Sequence, residues 1–363
     1  MNSSAKKIRA ISIAITTSVF IPGGSAIAAN LAYGETAFKE VEYLATNLAG
    51  RSVGTQKEQE SIDYLTQRLE DFGYEPNLQD FTYEFSGQTL ESPNIIATRE
   101  GTSDKQIIVG AHYDNAPSSS TLDRSNLQGV NDNSSGVAVL LELAQRLEAN
   151  PENTVKFVLF GAEEIGLVGS EYYANNMSQT EIDNTLVMVN LDSLIIGDKM
   201  YFNAGASAAT APELGVYRDL ALDIAADLGI DAETNPGLNP NYPEGTGCCS
   251  DLESFDGLVP VLAAEATNWE IGEKDGYTQT SNPNVPGGAT WHDPATDNLT
   301  FINEVFPGLI EERTQNYTQV FDTLLSTLND SNTSTSVPEP TTALGTFIAV
   351  MIGGLLRKRD VDE

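Results

Sequence analysis

Cysteine is almost missing from this chain of 363 residues, and the two that occur, Cys248 and Cys249, are adjacent. A disulfide framework is therefore excluded as the source of the fold. Histidine is just as scarce, with only His112 and His292. Basic residues are few: 19 Lys and Arg stand against 52 Asp and Glu, a formal charge of −33. Such a field repels phosphate backbones and argues against nucleic acid, while it attracts cations and basic peptides. Hydrophobic residues at 40% and aromatics at 8% exclude a disordered acidic tail. The length suits one large domain or two small ones, and no internal repeat is evident.

Long apolar runs are also lacking, except near the two ends. Lys6, Lys7 and Arg9 precede an apolar run from Ala10 to Ile21, and Ala26-Ile27-Ala28 supplies small residues for cleavage. Pro22-Gly23-Gly24 would end a buried helix abruptly, so residues 1–28 read as an export signal. At the other end, a Ser/Thr linker over 331–337 leads to Pro338-Glu339-Pro340, an apolar stretch from Ala343 to Leu356, and Arg357-Lys358-Arg359. The stretch is short against the ~20 residues a membrane helix needs, and the basic cluster fits a cytoplasmic stop. In that order, residues 338–363 resemble the PEP-CTERM sorting signal of Gram-negative bacteria. The resemblance implies an exosortase-type partner, transient membrane association, and a periplasmic, envelope or extracellular destination. A simple tail anchor is the alternative. Removing both ends takes away six basic residues with only four acids, so the body over 29–330 is more acidic still.

Within that body, apolar runs and amphipathic stretches alternate. Ile62, Leu65, Leu69 and Phe72 recur at helical spacing over 56–73, with Gly73 as a stop. "SPNIIATREG" and "KQIIVGAHYD" read as neighbouring strands, and "SSGVAVLLELAQRLEANP" as a helix capped by Ser134 or Ser135. "TVKFVLFGAEE", "NTLVMVNLDS" and "KMYFNAG" are further strands, the first two apolar enough to be central. A helix over "TAPELGVYRDLALDIAADLGI", a strand over "LVPVLAAEA" and a closing helix over 298–328 complete the pattern. This alternation predicts an α/β sheet with helices on both faces.

The polar residues fall at strand ends: His112 and Asp114 after one, Glu163 and Glu164 after another, Asn190 and Asp192 at a third. In open α/β sheets that rim is where ligands bind. Two carboxylates as close as Glu163 and Glu164 cost several kcal/mol unless something positive neutralises them. With so few Lys and Arg, a metal ion is the natural candidate. Each histidine stands near an aspartate able to orient its ring, and Asp114 shares the strand face of His112. Asp132, in a turn before a helix, is either a cap or a ligand. Two histidines, Asp132, Asp192 and one of the paired glutamates make a five-ligand nitrogen and oxygen set. Such a set suits two zinc ions, or manganese or cobalt, and leaves one glutamate free as a base.

"GAHYDN", "GVNDNSSGVAVLLELA", "FGAEEIGLVGSEYY", "NLDS" and "WHDPATDN" resemble, in order and spacing, the co-catalytic dizinc exopeptidases of the leucyl aminopeptidase type. The stretch around "GCCSDLESFDGLVPVLAAEATNWEIGEKDGYTQT" looks closer still to the alkaline phosphatase isozyme conversion aminopeptidases. The resemblance spans roughly residues 38–328. It implies a three-layer α/β/α fold around a central, mostly parallel but mixed twisted sheet, in one peptidase domain over 29–330. It also implies Asp132 as the bridging carboxylate, His112 and Asp192 on one zinc, and Glu164 and His292 on the other. Glu163 would be the general base and Asp114 the ring-orienting acid. The implied substrates are peptide or protein N-termini. A carboxypeptidase, a glutaminyl cyclase and a non-catalytic surface-binding module are the competing expectations.

Two positions depart from the family pattern. Trp291 stands where many relatives have a tyrosine before the last histidine, so oxyanion assistance there is in doubt. Leu252 replaces a histidine and removes a polar group from the expected substrate side. Cys248 and Cys249 admit three readings: two buried thiols, a vicinal disulfide, or a metal site that lacks further ligands to complete it. Asp251, Glu265 and Asp275 are candidates for recognising a basic side chain, against the alternative of solvated surface carboxylates.

Overall fold

The computed structural model describes residues 32–267, 269, 284–288 and 291–330. The expected export signal, linker and sorting signal, together with Asp275, lie outside the described residues. Two helices, α1 (Glu35–Asn47) and α2 (Gln56–Asp71), precede the hairpin of β1 (Asn77–Phe85) and β2 (Gln88–Arg99). Ser86 and Gly87 both have positive φ, as a two-residue hairpin turn matched to strand twist requires. Then come β3 (Gln106–His112), α3 (Ser135–Arg146), β4 (Thr154–Phe160), α4 (Val168–Asn175) and α5 (Gln179–Asn184). The chain continues through β5 (Thr185–Leu191), β6 (Met200–Ala204), α6 (Val216–Leu228) and β7 (Ala232–Glu233). It closes with β8 (Val261–Glu265), α7 (Leu299–Val305) and α8 (Leu309–Leu328).

One mixed eight-stranded sheet runs β1-β2-β4-β3-β5-β8-β6-β7. Its centre, β4-β3-β5-β8, is parallel, whereas β1 against β2, β2 against β4 and β6 against β8 are antiparallel. Burial follows strand alternation. Ile107, Val109, Phe157 and Val189 face a core shared with α1, α2, α3, α6 and α8. Ile108, Val158 and Met188 face the other side, against Tyr173 of α4 and the turn carrying Leu252 and Phe255. Helices on both faces thus give the expected three-layer architecture, and the C-terminal ends of the parallel strands share one rim.

Three local expectations change. The strands at Ser92–Arg99 and Gln106–His112 are not neighbours, because β4 lies between them and pairs with both. The connection crosses the start of β4, where Thr102 N–H donates to Glu152 O at 2.8 Å and Thr154 N–H to Lys105 O at 3.0 Å. Neither Ser134 nor Ser135 caps α3; Asn133 Oδ1 instead accepts Gly136 N–H at 2.9 Å, and the Ser135 hydroxyl donates to Asn131 O. The closing helix is two helices, because Pro307 has no N–H for a continuous ladder and Gly308 turns left-handed at φ 82°.

Candidate active site

His112 ends β3, Glu163 and Glu164 follow β4 in a single tight turn, and Asp192 follows β5. Asp132 comes from the kinked segment Val130–Ser134 before α3, and His292 from the loop before α7. The Asp132 carboxylate lies between the imidazoles: Oδ1 is 3.1 Å from His112 Nε2 and Oδ2 is 3.0 Å from His292 Nε2. Asp192 Oδ1 lies 3.5 Å from His112 Nε2, and Glu164 Oε2 lies 2.8 Å from His292 Nε2. Glu163 stands off, with Oε2 at 4.0 Å from His112 Nε2.

Two donor triads result, His112–Asp132–Asp192 and Asp132–Glu164–His292, and a third joins His112, Glu163 and Glu164. Their ligand atoms fall within 4.8 Å of one another. His112 Nε2, Asp132 Oδ1, Glu164 Oε1 and Asp192 Oδ1 are buried without a hydrogen-bond partner. Most buried polar atoms in proteins are paired, and four lone pairs converging on one cluster fit divalent cations. The absence of thiolates and the mixture of imidazole and carboxylate suit zinc-like ions.

Asp114 is fully buried, and its carboxylate accepts the N–H of Glu163 at 3.0 Å and of Glu164 at 3.3 Å. Its distance to His112 Nδ1 is 3.7 Å, too long for a hydrogen bond. The expected ring-orienting contact is therefore only electrostatic here. β3 ends at His112, so strand alternation no longer governs where Asp114 points. Its direct contacts hold the backbone of the glutamate pair.

Electrostatics follow from crowding. Burial raises the Glu163 carboxyl well above its ordinary range; Glu164, Asp251 and Asp192 add to that and His112 opposes it. Glu164 is raised by burial too, against the pull of His292. Burial alone would depress both imidazoles. The charges of Glu163 and Asp192 nonetheless hold His112 well above its usual value, and Glu164 with Asp132 does the same for His292. Burial works against the charged form of Asp132, but the two imidazoles beside it hold its carboxyl below the ordinary range.

The sites lie in a cavity of ≈ 1080 Å³. Its lining includes Asp132, Glu163, Glu164, Asp192 and His292, with Trp291, Glu265 and the Cys248–Cys249 pair also on its walls. Of the three cysteine readings the structure has the vicinal disulfide. Glu265 accepts Asn203 Nδ2 at 2.6 Å and Trp269 Nε1 at 3.0 Å. Asp251 departs from expectation. It is neither solvated nor on the cavity wall, because its short turn packs Leu252 and Phe255 into the core. Burial pushes its carboxyl up to about 7. Strained backbone concentrates around the cavity: Ala162, Leu167, Ser193, Cys249 and His292 all have positive φ without being glycine.

Several supporting residues were not assigned from the sequence. Asp297 accepts Asn131 N–H at 2.6 Å and Asp132 N–H at 3.2 Å, fixing the loop that carries the central carboxylate. Arg124 donates from Nε to His292 O at 2.6 Å. Arg51 is fully buried and donates to Tyr113 O, Gln128 O and Ser134 Oγ. Burial pushes its guanidinium down to about 10, while Asp297, Asp114, Asp132 and Glu164 pull the other way. Asp297 had one legible signal, a second acid in "WHDPATDN"; Arg51 and Arg124 had none.

Comparison with known proteins agrees with this geometry. The chain is 41% identical over 313 residues to the alkaline phosphatase isozyme conversion protein of Escherichia coli (strain K12), covering 81% of this chain and 90% of that one. Its fold is similar to a zinc aminopeptidase from Bacillus subtilis, with a TM-score of 0.64 at 15% identity, covering 85% of this chain and 97% of the other. A Porphyromonas gingivalis glutaminyl cyclase is similar at a TM-score of 0.62 and 21% identity, covering 82% and 99%. Residues 94–318, which contain the paired triads and the helices that support them, match Peptidase family M28, and the chain belongs to that family.

Proposed function

We propose that the chain is an exported aminopeptidase that binds two zinc ions and releases N-terminal residues from peptides or proteins. The observation that carries this reading is the single carboxylate of Asp132 shared between two imidazoles, 3.1 and 3.0 Å away. His112, Asp132 and Asp192 would hold one ion, and Asp132, Glu164 and His292 the other. Manganese or cobalt suits the same donors less well than zinc. Zinc, when bound, supplies the Lewis acid that polarises the scissile carbonyl and makes water acidic enough to attack near neutral pH.

Glu163 does the proton work. Its Oε atoms take the proton of the attacking water and return it to the departing amine. Asp114 keeps Glu163 and Glu164 apart in role by gripping both of their backbone N–H groups. The acids lining the cavity favour a substrate that brings positive charge, first as a free N-terminal amine. Glu265 and Glu253 on the same wall, with no Lys or Arg among the described lining residues, support a preference for basic N-terminal side chains. The terminal segments at 1–28 and 338–363 support delivery to the envelope of a Gram-negative cell, with the exosortase-type enzyme as the sorting partner. Among the described residues no helix is long and apolar enough to cross a membrane, so membrane association is proposed for the C-terminal segment alone.

The glutaminyl cyclase fold neighbour gives a second reading, cyclisation of an N-terminal glutamine. Two complete triads favour the hydrolase. Purified protein should hydrolyse aminoacyl-4-nitroanilides, lose activity to a chelator and regain it with zinc, at two equivalents of metal. Hydrolysis that survives complete removal of metal would overturn the proposal. Cyclisation of glutaminyl peptides without anilide hydrolysis would replace it with the second reading.

A further inference from the structure

The two imidazoles are held in different ways. His112 is the last residue of β3, and its backbone pairs with Phe160 of β4 in the parallel centre of the sheet. His292 belongs to no strand or helix, and at φ 59° it occupies the left-handed region that residues other than glycine seldom adopt. On its C-terminal side the chain is fixed. Asp293 O accepts the N–H of Thr296 at 3.0 Å and of Asp297 at 2.8 Å, and Asp297 grips the loop of Asp132. The His292 carbonyl is held from another loop: Arg124 Nε donates to it at 2.6 Å, and Nη1 of the same guanidinium donates to Pro117 O at 2.9 Å. Arg124 lies on the loop over 113–129, between β3 and the segment bearing Asp132, and its own N–H donates to Ser118 Oγ at 2.8 Å. Beyond it that loop is tied down by Gly50 N–H to Leu127 O and by Leu299 N–H to Gln128 Oε1, both at 2.8 Å.

We propose that Arg124 is the positioning residue for the metal site of Asp132, Glu164 and His292, and that it aims the His292 ring by fixing its carbonyl. This rests on the two-zinc reading above and adds what sets the affinity of one of the two sites. A planar fork with charge-assisted bonds fixes the peptide between His292 and Asp293 in direction as well as in place. The chain has 19 basic residues against 52 acids, yet this guanidinium goes to two backbone oxygens. Its charge beside a site for cations works against them, so the gain from holding His292 has to outweigh that cost. Without the fork, the His292 peptide is free to turn towards ordinary φ, and Nε2 leaves Asp132 and Glu164. The site of His112, Asp132 and Asp192 stays, because His112 ends β3 and Asp192 N–H donates to Ala264 O of β8 at 3.2 Å.

The test exploits the presence of only two histidines in the chain. Full-length protein labelled with nitrogen-15 at histidine gives two imidazole signals by NMR, assigned with His292→Gln. Zinc is added to metal-free wild type and to Arg124→Ala, and each ring is followed separately. In Arg124→Ala the zinc concentration at which the His292 ring responds should rise about 10–100-fold, the loss typical when an outer contact to a metal ligand is removed. The His112 ring should respond as in wild type. Should Arg124→Ala fail to fold, Arg124→Gln, which keeps the stem without the charged fork, takes the same measurement. Equal weakening at both rings, or a lower melting temperature with both responses unchanged, would mean that Arg124 serves the fold alone, and the proposal falls. A tighter response at His292 would mean that its charge dominates, and overturns the proposal too. If only one ring of wild type responds to zinc, the two-ion reading fails separately. The metal-free spectra then decide Arg124: a His292 signal moved by the substitution with His112 unmoved upholds the proposal, and any other pattern overturns it.

Discussion

Glu163→Gln separates proton transfer from metal binding at this site. Glutamine has nearly the volume of glutamate, and the backbone bond that fixes the residue, Glu163 N–H to Asp114 Oδ1 at 3.0 Å, does not involve the side chain. The cavity and the two histidine–carboxylate triads around Asp132 should therefore persist. What disappears is the proton acceptor, whose contribution as a general base is ~10²–10⁴-fold, or about 2.7–5.4 kcal/mol of transition-state stabilisation. The expected result is a fall of that size in kcat/KM on arginyl-4-nitroanilide, with two equivalents of zinc retained in elemental analysis after dialysis. Metal retention is a demanding part of the test, because Glu163 also belongs to a donor triad with His112 and Glu164. Loss of one zinc equivalent along with activity would move Glu163 into the ligand set and refute the base assignment. Near-native turnover would refute it more simply. The metal-free variant should also melt above metal-free wild type. A neutral amide replaces a carboxylate that burial and the charges of Glu164, Asp251 and Asp192 disfavour in its ionised form.

Three other outcomes follow from the same structure. Chelation should lower the melting temperature reversibly, since metal at a hundredfold excess over Kd contributes about 2.7 kcal/mol of linked stability; scanning calorimetry with and without zinc measures it, and an unchanged temperature argues against tight metal binding. Glu58 is buried, accepts Ser92 Oγ at 2.7 Å and Gly54 N–H at 2.6 Å, and burial pushes its carboxyl up to about 7. A raised acid binds its proton more tightly when folded, so its stabilisation is whole below the unfolded value and lost as pH climbs through about 7. Glu58→Gln should therefore gain stability relative to wild type between pH 5 and pH 8, by up to about 3 kcal/mol, read from urea midpoints at each pH. Glu142→Ala removes a fully buried carboxylate that accepts Gly34 N–H at 2.9 Å, Ala37 N–H at 2.7 Å and Arg146 Nε at 2.8 Å. It should cost about 3–5 kcal/mol, seen as a lower urea midpoint with an unchanged slope.

Periodicity made the layers of this fold legible. β3, β4 and β5 are short, apolar on both faces and bounded by polar clusters, so their central place could be read from local pattern. The strand order could not, because β4 enters between β2 and β3 through pairings between residues some sixty positions apart, such as Ile95 with Leu159. The break at Pro307-Gly308 was a local signal inside a pattern that remained helical on both sides. β1 and α1, more polar and only half-buried, were not anticipated, since their apolar faces become evident only against the partners that cover them.

The site divides in the same way. His112, Glu163, Glu164 and Asp192 were legible because charged groups at strand ends in so acid-rich a chain require a compensating cation, and Asp132 and His292 because they complete the nitrogen and oxygen donor set. Arg51 and Arg124 were not, and Asp297 showed only as a second acid in "WHDPATDN", because a buried guanidinium or a carboxylate bonded to backbone N–H has the sequence appearance of any surface charge. Asp251 and Glu265 looked alike in sequence, yet one is sealed beneath the wall and the other faces the cavity. Residue type and spacing alone determined which donors this chain owns and which rim they crowd. The resemblance pointed to Asp132 as the shared carboxylate, but only the tertiary structure sets it between the two imidazoles and puts the cysteine pair on the cavity wall, since both placements depend on loops that meet across long stretches of chain.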